Sequence, residues 1–108
     1  MGNGTKEYTV IVQEPAKEML LNHARFLAQV SENAANRLVE DFVIKAKTLE
    51  YMPERCPWLA DNGIPQRKYR KLIFEKHYML VYQVIGDSVY VDAMVDCRQD
   101  YRWLLSNP

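Results

Sequence analysis

The 108-residue sequence contains no uninterrupted apolar stretch close to the roughly 18 residues that a bilayer-spanning helix needs. Its first residues, Met1 to Tyr8, are polar and lack the hydrophobic core of a signal peptide, so a cytoplasmic protein without a membrane partner is expected. Cysteine is scarce as well. Cys56 and Cys97 are far apart and accompanied only by His23 and His77, without the close pairs that zinc sites use, so two reduced thiols and no bound metal or cofactor are expected. Net charge is absent too: 14 basic residues balance 14 acidic ones, and no global field draws the chain to nucleic acid.

What remains is ordinary globular composition, 48% apolar and 26% charged, enough for one core. Residues 1–108 are read as a single domain, without repeats or low-complexity tracts. Charge is unevenly distributed along it. Arg67, Lys68, Arg70, Lys71 and Lys76 cluster against the single acid Glu75, whereas Asp87, Asp92, Asp96 and Asp100 follow against Arg98 alone.

Tyr8 to Gln13, rich in β-branched residues, reads as a strand that ends at Glu14-Pro15, a proline suited to the first turn of a helix. From Ala16, Met19, Leu20, Ala24, Leu27 and Val30 recur at helical spacing. Ser31 is a good N-cap with Glu32 in the first turn, and Ala35, Leu38, Val39, Phe42, Ala46 and Leu49 form a second stripe. With almost no linker the two helices must form an antiparallel hairpin. Met52 to Gln66, with Pro53, Pro57, Asn62-Gly63 and Pro65, is a loop pinned to the core by Trp58-Leu59.

Three strands follow, Arg67 to Phe74, His77 to Val84 and Ser88 to Asp96, joined by tight turns that favour antiparallel hairpins. In the last strand Val89, Val91, Ala93 and Val95 are expected to face the helices, with Tyr90, Asp92, Met94 and Asp96 turned away, so one sheet face is covered and the other open. Gln99 to Leu105 is expected to form a short helix that docks Trp103 and Leu104. The order gives a two-layer α+β domain: N-terminal strand, helical hairpin, antiparallel meander, short C-terminal helix.

The stretch KYRKLIFEKHYMLVYQVIGDSVYVDAMVDCRQDY, Lys68 to Tyr101, resembles the C-terminal sheet of RelE/ParE toxins: a basic strand, an LVYQV strand, a turn, a VYVDAMVD strand, then an arginine with a tyrosine just after it. The element order before it fits the same family, some of whose members are described as plasmid stabilisation proteins. The resemblance implies a RelE-like fold and the toxin half of a type II toxin–antitoxin pair, with a small antitoxin as partner. Some members cut mRNA on the ribosome, and others poison DNA gyrase.

Metal-free RNA cleavage needs a base for the 2′-hydroxyl, cations for the phosphate and an acid for the leaving oxygen. Arg67, Lys68, Arg70 and Lys71 are the candidates for binding phosphate, and His77, Arg98 and Tyr101 for the catalytic positions. On these residues ribosome-dependent mRNA cleavage stands slightly ahead of gyrase inhibition by binding alone, with a non-toxic binding module as a third reading. Each candidate has a plainer role: a solvated edge strand for Arg67 to Lys71, a surface hairpin for His77, an ion pair with Asp96 or Asp100 for Arg98, and a C-terminal anchor for Tyr101. Nuclease members often carry an arginine after the aromatic of the third strand, where this chain has Met79 after Tyr78. Their gap between the final arginine and tyrosine is often longer than Arg98 to Tyr101.

Overall fold

The computed structural model describes residues 6–61 and 63–99. β1 (Thr9–Val12) leads into α1 (Glu14–Ala28) and α2 (Glu32–Thr48), and β2 (Arg70–Phe74), β3 (Tyr78–Ile85) and β4 (Ser88–Asp96) complete the order. Pro15 sits in the first turn of α1, and the Ser31 hydroxyl accepts from the Ala34 N–H at the start of α2, so both helix starts follow the sequence signals. The expected C-terminal helix, with Tyr101, Trp103 and Leu104, lies outside the described residues.

The sheet order is β1-β4-β3-β2. β2, β3 and β4 form the antiparallel meander, and β1 joins β4 in parallel, making the sheet mixed. Its hairpins solve the turn problem differently. Gly86-Asp87 takes its positive φ of 61° at Gly86, where a two-residue turn of type II′ needs it. Glu75 and Lys76 adopt φ of 44° and 68° without being glycines, a turn that ends β2 at Phe74 as expected and delays the start of β3. His77 therefore belongs to the turn, and β3 starts at Tyr78. At the other end of β2, Arg67 (φ 55°) is also left-handed, so Arg67 and Lys68 lie in a turn ahead of the strand expected to carry them.

The alternation expected for β4 holds only as far as Val91. Val81 pairs with Ala93 but Tyr82 pairs with Val91, so Asp92 is an extra residue, a bulge, and the strand changes phase there. Val89, Val91 and Met94 pack under the helices with Leu20, Leu38, Phe42, Leu80 and Tyr82. Ala93 and Val95 point to the far face, where they join Met79 and Val81 beneath Leu59, Ile64 and Tyr69 of the long loop. The far face is thus open at the Gln83–Tyr90 end and at Ile73 of β2, which is 46% exposed, and the single-core expectation gives way to two clusters on the two sheet faces, with Met19 of α1 packed against both.

Leu59 pins the loop as expected, at 2% exposure, whereas Trp58 remains 40% exposed. A deeper anchor is Tyr82, which is fully buried and donates from its hydroxyl to the Pro53 carbonyl at 2.6 Å. Burial pushes this phenol far above its ordinary pKa, so it stays a donor throughout the accessible pH range. Tyr82→Phe leaves the buried Pro53 carbonyl without that donor, and urea denaturation is expected to show a loss of about 1–3 kcal/mol.

Candidate functional site

β3 runs between two surface clefts, and the predicted site residues divide between them. At its first end Tyr78 faces the helices opposite Asp96 of β4. The rings of His23 from α1 and His77 from the turn approach it, with centroids 5.5 Å and 4.4 Å away. Beyond Asp96 the chain turns back. The Cys97 N–H donates to the His77 carbonyl, and the Arg98 N–H donates to Asp96 Oδ1 at 2.9 Å. That turn returns the Arg98 side chain onto its own neighbour, with Nε 3.0 Å from Asp96 Oδ1 and Nη2 2.7 Å from Oδ2. Of the two roles weighed for Arg98, the structure thus contains the ion pair.

The electrostatics follow from this packing. Hydrogen bonds from Arg98 hold the Asp96 carboxyl down at about 2, against an ordinary 3.8. Burial raises the Tyr78 phenol, with Asp96 adding to the effect, and burial lowers the His23 imidazole. Tyr78 is therefore a poor acid at neutral pH, and His23 is neutral. These groups border an open cleft of about 350 Å³ between α1, through His23, Phe26 and Leu27, and the strand ends at Tyr78, Asp96 and Arg98. His77 lines an adjoining pocket with Leu27, Arg37, Glu75 and Tyr78.

At the far end of β3 the basic residues gather. Arg67, Lys68 and Arg70 line a cleft with Glu54, Trp58 and Gln83. Arg70 is already engaged: its guanidinium lies 3.8 Å from the Trp58 ring centre and donates to the carbonyls of Cys56 at 2.7 Å and Glu54 at 3.2 Å. Lys68 lies over the Tyr69 ring, its ammonium 5.1 Å from the centroid. Lys71 does not line this cleft. Its backbone N–H donates to the Pro57 carbonyl, tying the loop to the edge strand.

His77 and Arg98 are thus near each other, and Arg67, Lys68 and Arg70 are near each other, but the two sets sit near Tyr78 and Gln83, five residues apart on β3, on the order of 16 Å. Tyr101 lies outside the described residues. Met79, at the position where nuclease members of the resembled family often carry an arginine, is 2% exposed in the far-face cluster and lines neither cleft. No local pattern marks His23 and Phe26 as bordering the Tyr78 cleft, because a histidine on an amphipathic helix carries no signal of what lies across from it. Among the described residues no group of three or more His, Cys, Asp or Glu side chains is placed to hold a metal, and no helix is long and apolar enough to cross a membrane.

The architecture has a clear counterpart among known structures. A chain of the chromosomal ParDE toxin–antitoxin system from P. aeruginosa superposes with a TM-score of 0.68 at 14% identity, over 84% of this chain and 97% of that one. Identity that low speaks for the fold. The family model of the ParE toxin of the type II toxin–antitoxin system, parDE, matches residues 10–101. This chain belongs to the ParE toxin family. No curated protein sequence matches it. The ParE match runs from β1 through β4 and so takes in both clefts, and it agrees with the RelE/ParE resemblance carried by Lys68 to Tyr101.

Proposed function

We propose that this ParE-family protein acts in the cytoplasm as a growth-inhibiting toxin that binds a protein target, DNA gyrase, and does not cut RNA. One observation carries the choice: the cations nominated for the phosphate and the groups nominated for proton transfer occupy opposite ends of β3. In-line attack by a 2′-hydroxyl requires base, acid and cation within hydrogen-bond reach of one phosphate, a span of a few ångströms. Arg70 is committed to two loop carbonyls, and two of the donors of Arg98 are committed to Asp96. A toxin that works by docking needs neither set to converge. Its partner in the resting cell is the antitoxin that a type II system pairs with its toxin.

Two measurements on the purified protein test this reading. Plasmid supercoiling by gyrase is expected to stall when the toxin is added, and transcript ends in a translating extract are expected to stay unchanged. Arg70→Ala frees the loop around Cys56, so it is expected to cost about 1–3 kcal/mol of stability and to speed proteolysis there without altering transcript ends. New cuts at the ribosomal A site that vanish in Arg70→Ala and Arg98→Ala would overturn the proposal in favour of an mRNA endonuclease.

A further inference from the structure

β2 starts opposite Tyr82, so β3 runs on from Gln83 to Ile85 with no strand of the described residues beside it on that side. The second cleft, about 260 Å³, occupies this notch, between the turn at Arg67 and Lys68 and the loop at Glu54 and Trp58. Three of its features point to one kind of ligand. The first is positive charge without a counter-charge. Among the described residues no carboxylate forms an ion pair with Arg67, Lys68 or Arg70. Arg70 gives its hydrogen bonds to neutral carbonyls, which hold the guanidinium in place and leave its charge uncancelled. Glu54 is the one acid among the lining residues, and its Oε1 already accepts from the Tyr8 hydroxyl at 3.4 Å. Three cations thus face one carboxylate, unlike the first cleft, where Asp96 neutralises Arg98.

The second feature is flat π surface. Trp58 is 40% exposed, and the Arg70 guanidinium 3.8 Å from its ring centre makes an aromatic–cation pair in the cleft wall. Indole and guanidinium planes both take a further aromatic ring by stacking. The third is an open backbone edge. Tyr69 and Lys71 turn their backbone groups to the loop, bonding Leu59 and Pro57, so Arg70 turns its own to Tyr82. Val84, two residues beyond Tyr82, aims its N–H and C=O the same way, into the notch. No backbone hydrogen bond joins it to Arg67 or Lys68 among the described residues. A donor beside an acceptor matches the edge of a heterocyclic base.

The backbone at Arg67 adds an independent sign. Its φ of 55° is left-handed, a conformation that glycine adopts without strain and a long side chain does not. Arginine here costs stability that glycine would not, which places the reason for it in what the guanidinium does.

From these observations we infer that the notch binds a free nucleotide, its base stacked on the Trp58–Arg70 pair with an edge on Val84, and its phosphates taken by Arg67 and Lys68. The cleft lies just under the roughly 300–1,000 Å³ of small-molecule sites, which is room for one nucleotide and not for a run of them. The chain's zero net charge supplies no wider field to hold a longer strand. Binding joins the long loop, the turn and β3 without any covalent step, and it goes beyond the toxin reading without depending on the toxin's target.

Isothermal titration of the full chain with ADP, GDP and UDP in turn tests the inference. The tightest of the three is expected to bind at least about tenfold more tightly than its nucleoside or pyrophosphate alone, and to raise the melting temperature as its concentration rises. Trp58→Leu and Lys68→Gln are expected to bind it at least about fivefold more weakly, and Arg25→Gln, an equal change of charge in the last turn of α1, within about twofold of the parent. Arg67→Gly decides the matter, because it removes the guanidinium and suits the left-handed backbone. Without ligand it is expected to melt at or above the parent's temperature, yet to bind the nucleotide at least about tenfold more weakly, a loss that unfolding cannot explain. The inference is overturned if none of the three nucleotides binds, if pyrophosphate binds as tightly as the best of them, or if Arg67→Gly leaves binding unchanged or melts below the parent. A short single-stranded oligonucleotide that binds more tightly than any free nucleotide overturns it too, because the notch is then part of a track for a strand. None of these readouts uses gyrase, so a negative supercoiling result does not bear on them.

Discussion

Deleting Asp92 is expected to leave the protein folded with a change of less than about 2 kcal/mol, whereas deleting Met94, two residues later on the same strand, is expected to abolish folding. In β4 the bulge lets Asp92 and Ala93 both lie on the far side while Val91 and Met94 lie under the helices. Removing Asp92 restores strict alternation with every later side chain on its present face, and the main loss is one half-buried hydrogen bond from the Gln83 amide. Without Met94, the register that keeps Asp96 opposite Tyr78 moves Ala93 into the methionine's place and Asp92 into the far-face cluster. Truncating a buried methionine costs about 2–5 kcal/mol, and burying an unpaired carboxylate adds several more. Together these exhaust the roughly 5–15 kcal/mol that a domain of this size has to lose. Circular dichroism and urea midpoints of the two deletion proteins provide the comparison.

Asp96→Asn is expected to remove about 2 kcal/mol of stability at neutral pH and to flatten the acid limb of the stability profile. The folded carboxyl titrates at about 2, and its ordinary value is 3.8. A depressed carboxylate contributes fully above its unfolded pKa and loses that contribution as the pH falls through the folded one. The parent protein is thus expected to lose this increment between about pH 4 and pH 2, while the variant lacks it throughout. Thermal melts in this range, run on both proteins at constant ionic strength, give the difference directly. If both curves fall in parallel, Arg98 does not hold Asp96 in solution as it does in the structure.

How much of this was legible beforehand differs by element for physical reasons. The helical hairpin could be read almost to the residue because its signals are local: a proline in the first turn, Ser31 capping Ala34, and apolar stripes at helical spacing. The expected two-layer α+β order was correct for the same reason, and the family match and superposed fold agree with it. The phase change in β4 was not legible. Its bulge is Asp92-Ala93 without a glycine, and VYVDAMVD reads as unbroken alternation until the pairing with Val81 and Tyr82 is known. The basic stretch misled in another way. Charge placed Arg67 and Lys68 on a strand, but left-handed backbone at Arg67 puts both in a turn, and Arg70 serves the loop through carbonyls that no local pattern reveals. A site is a property of long-range placement, so the split between the two ends of β3 is visible only in three dimensions.

The parallel pairing of β1 with β4 has a consequence for how the molecule comes into being. Thr9 to Val12 find their partners in Ser88 to Val91, about as far apart in sequence as any two strands here. Loop closure over that distance must precede any gain from the pairing, so the meander and the hairpin are expected to form early and β1 to dock last. During synthesis the first strand made has no neighbour until nearly the whole chain has left the ribosome. An interrupted message thus yields a chain lacking β4, the central strand between β1 and β3, along with Asp96 and Arg98, and only a nearly complete translation product can assemble the sheet.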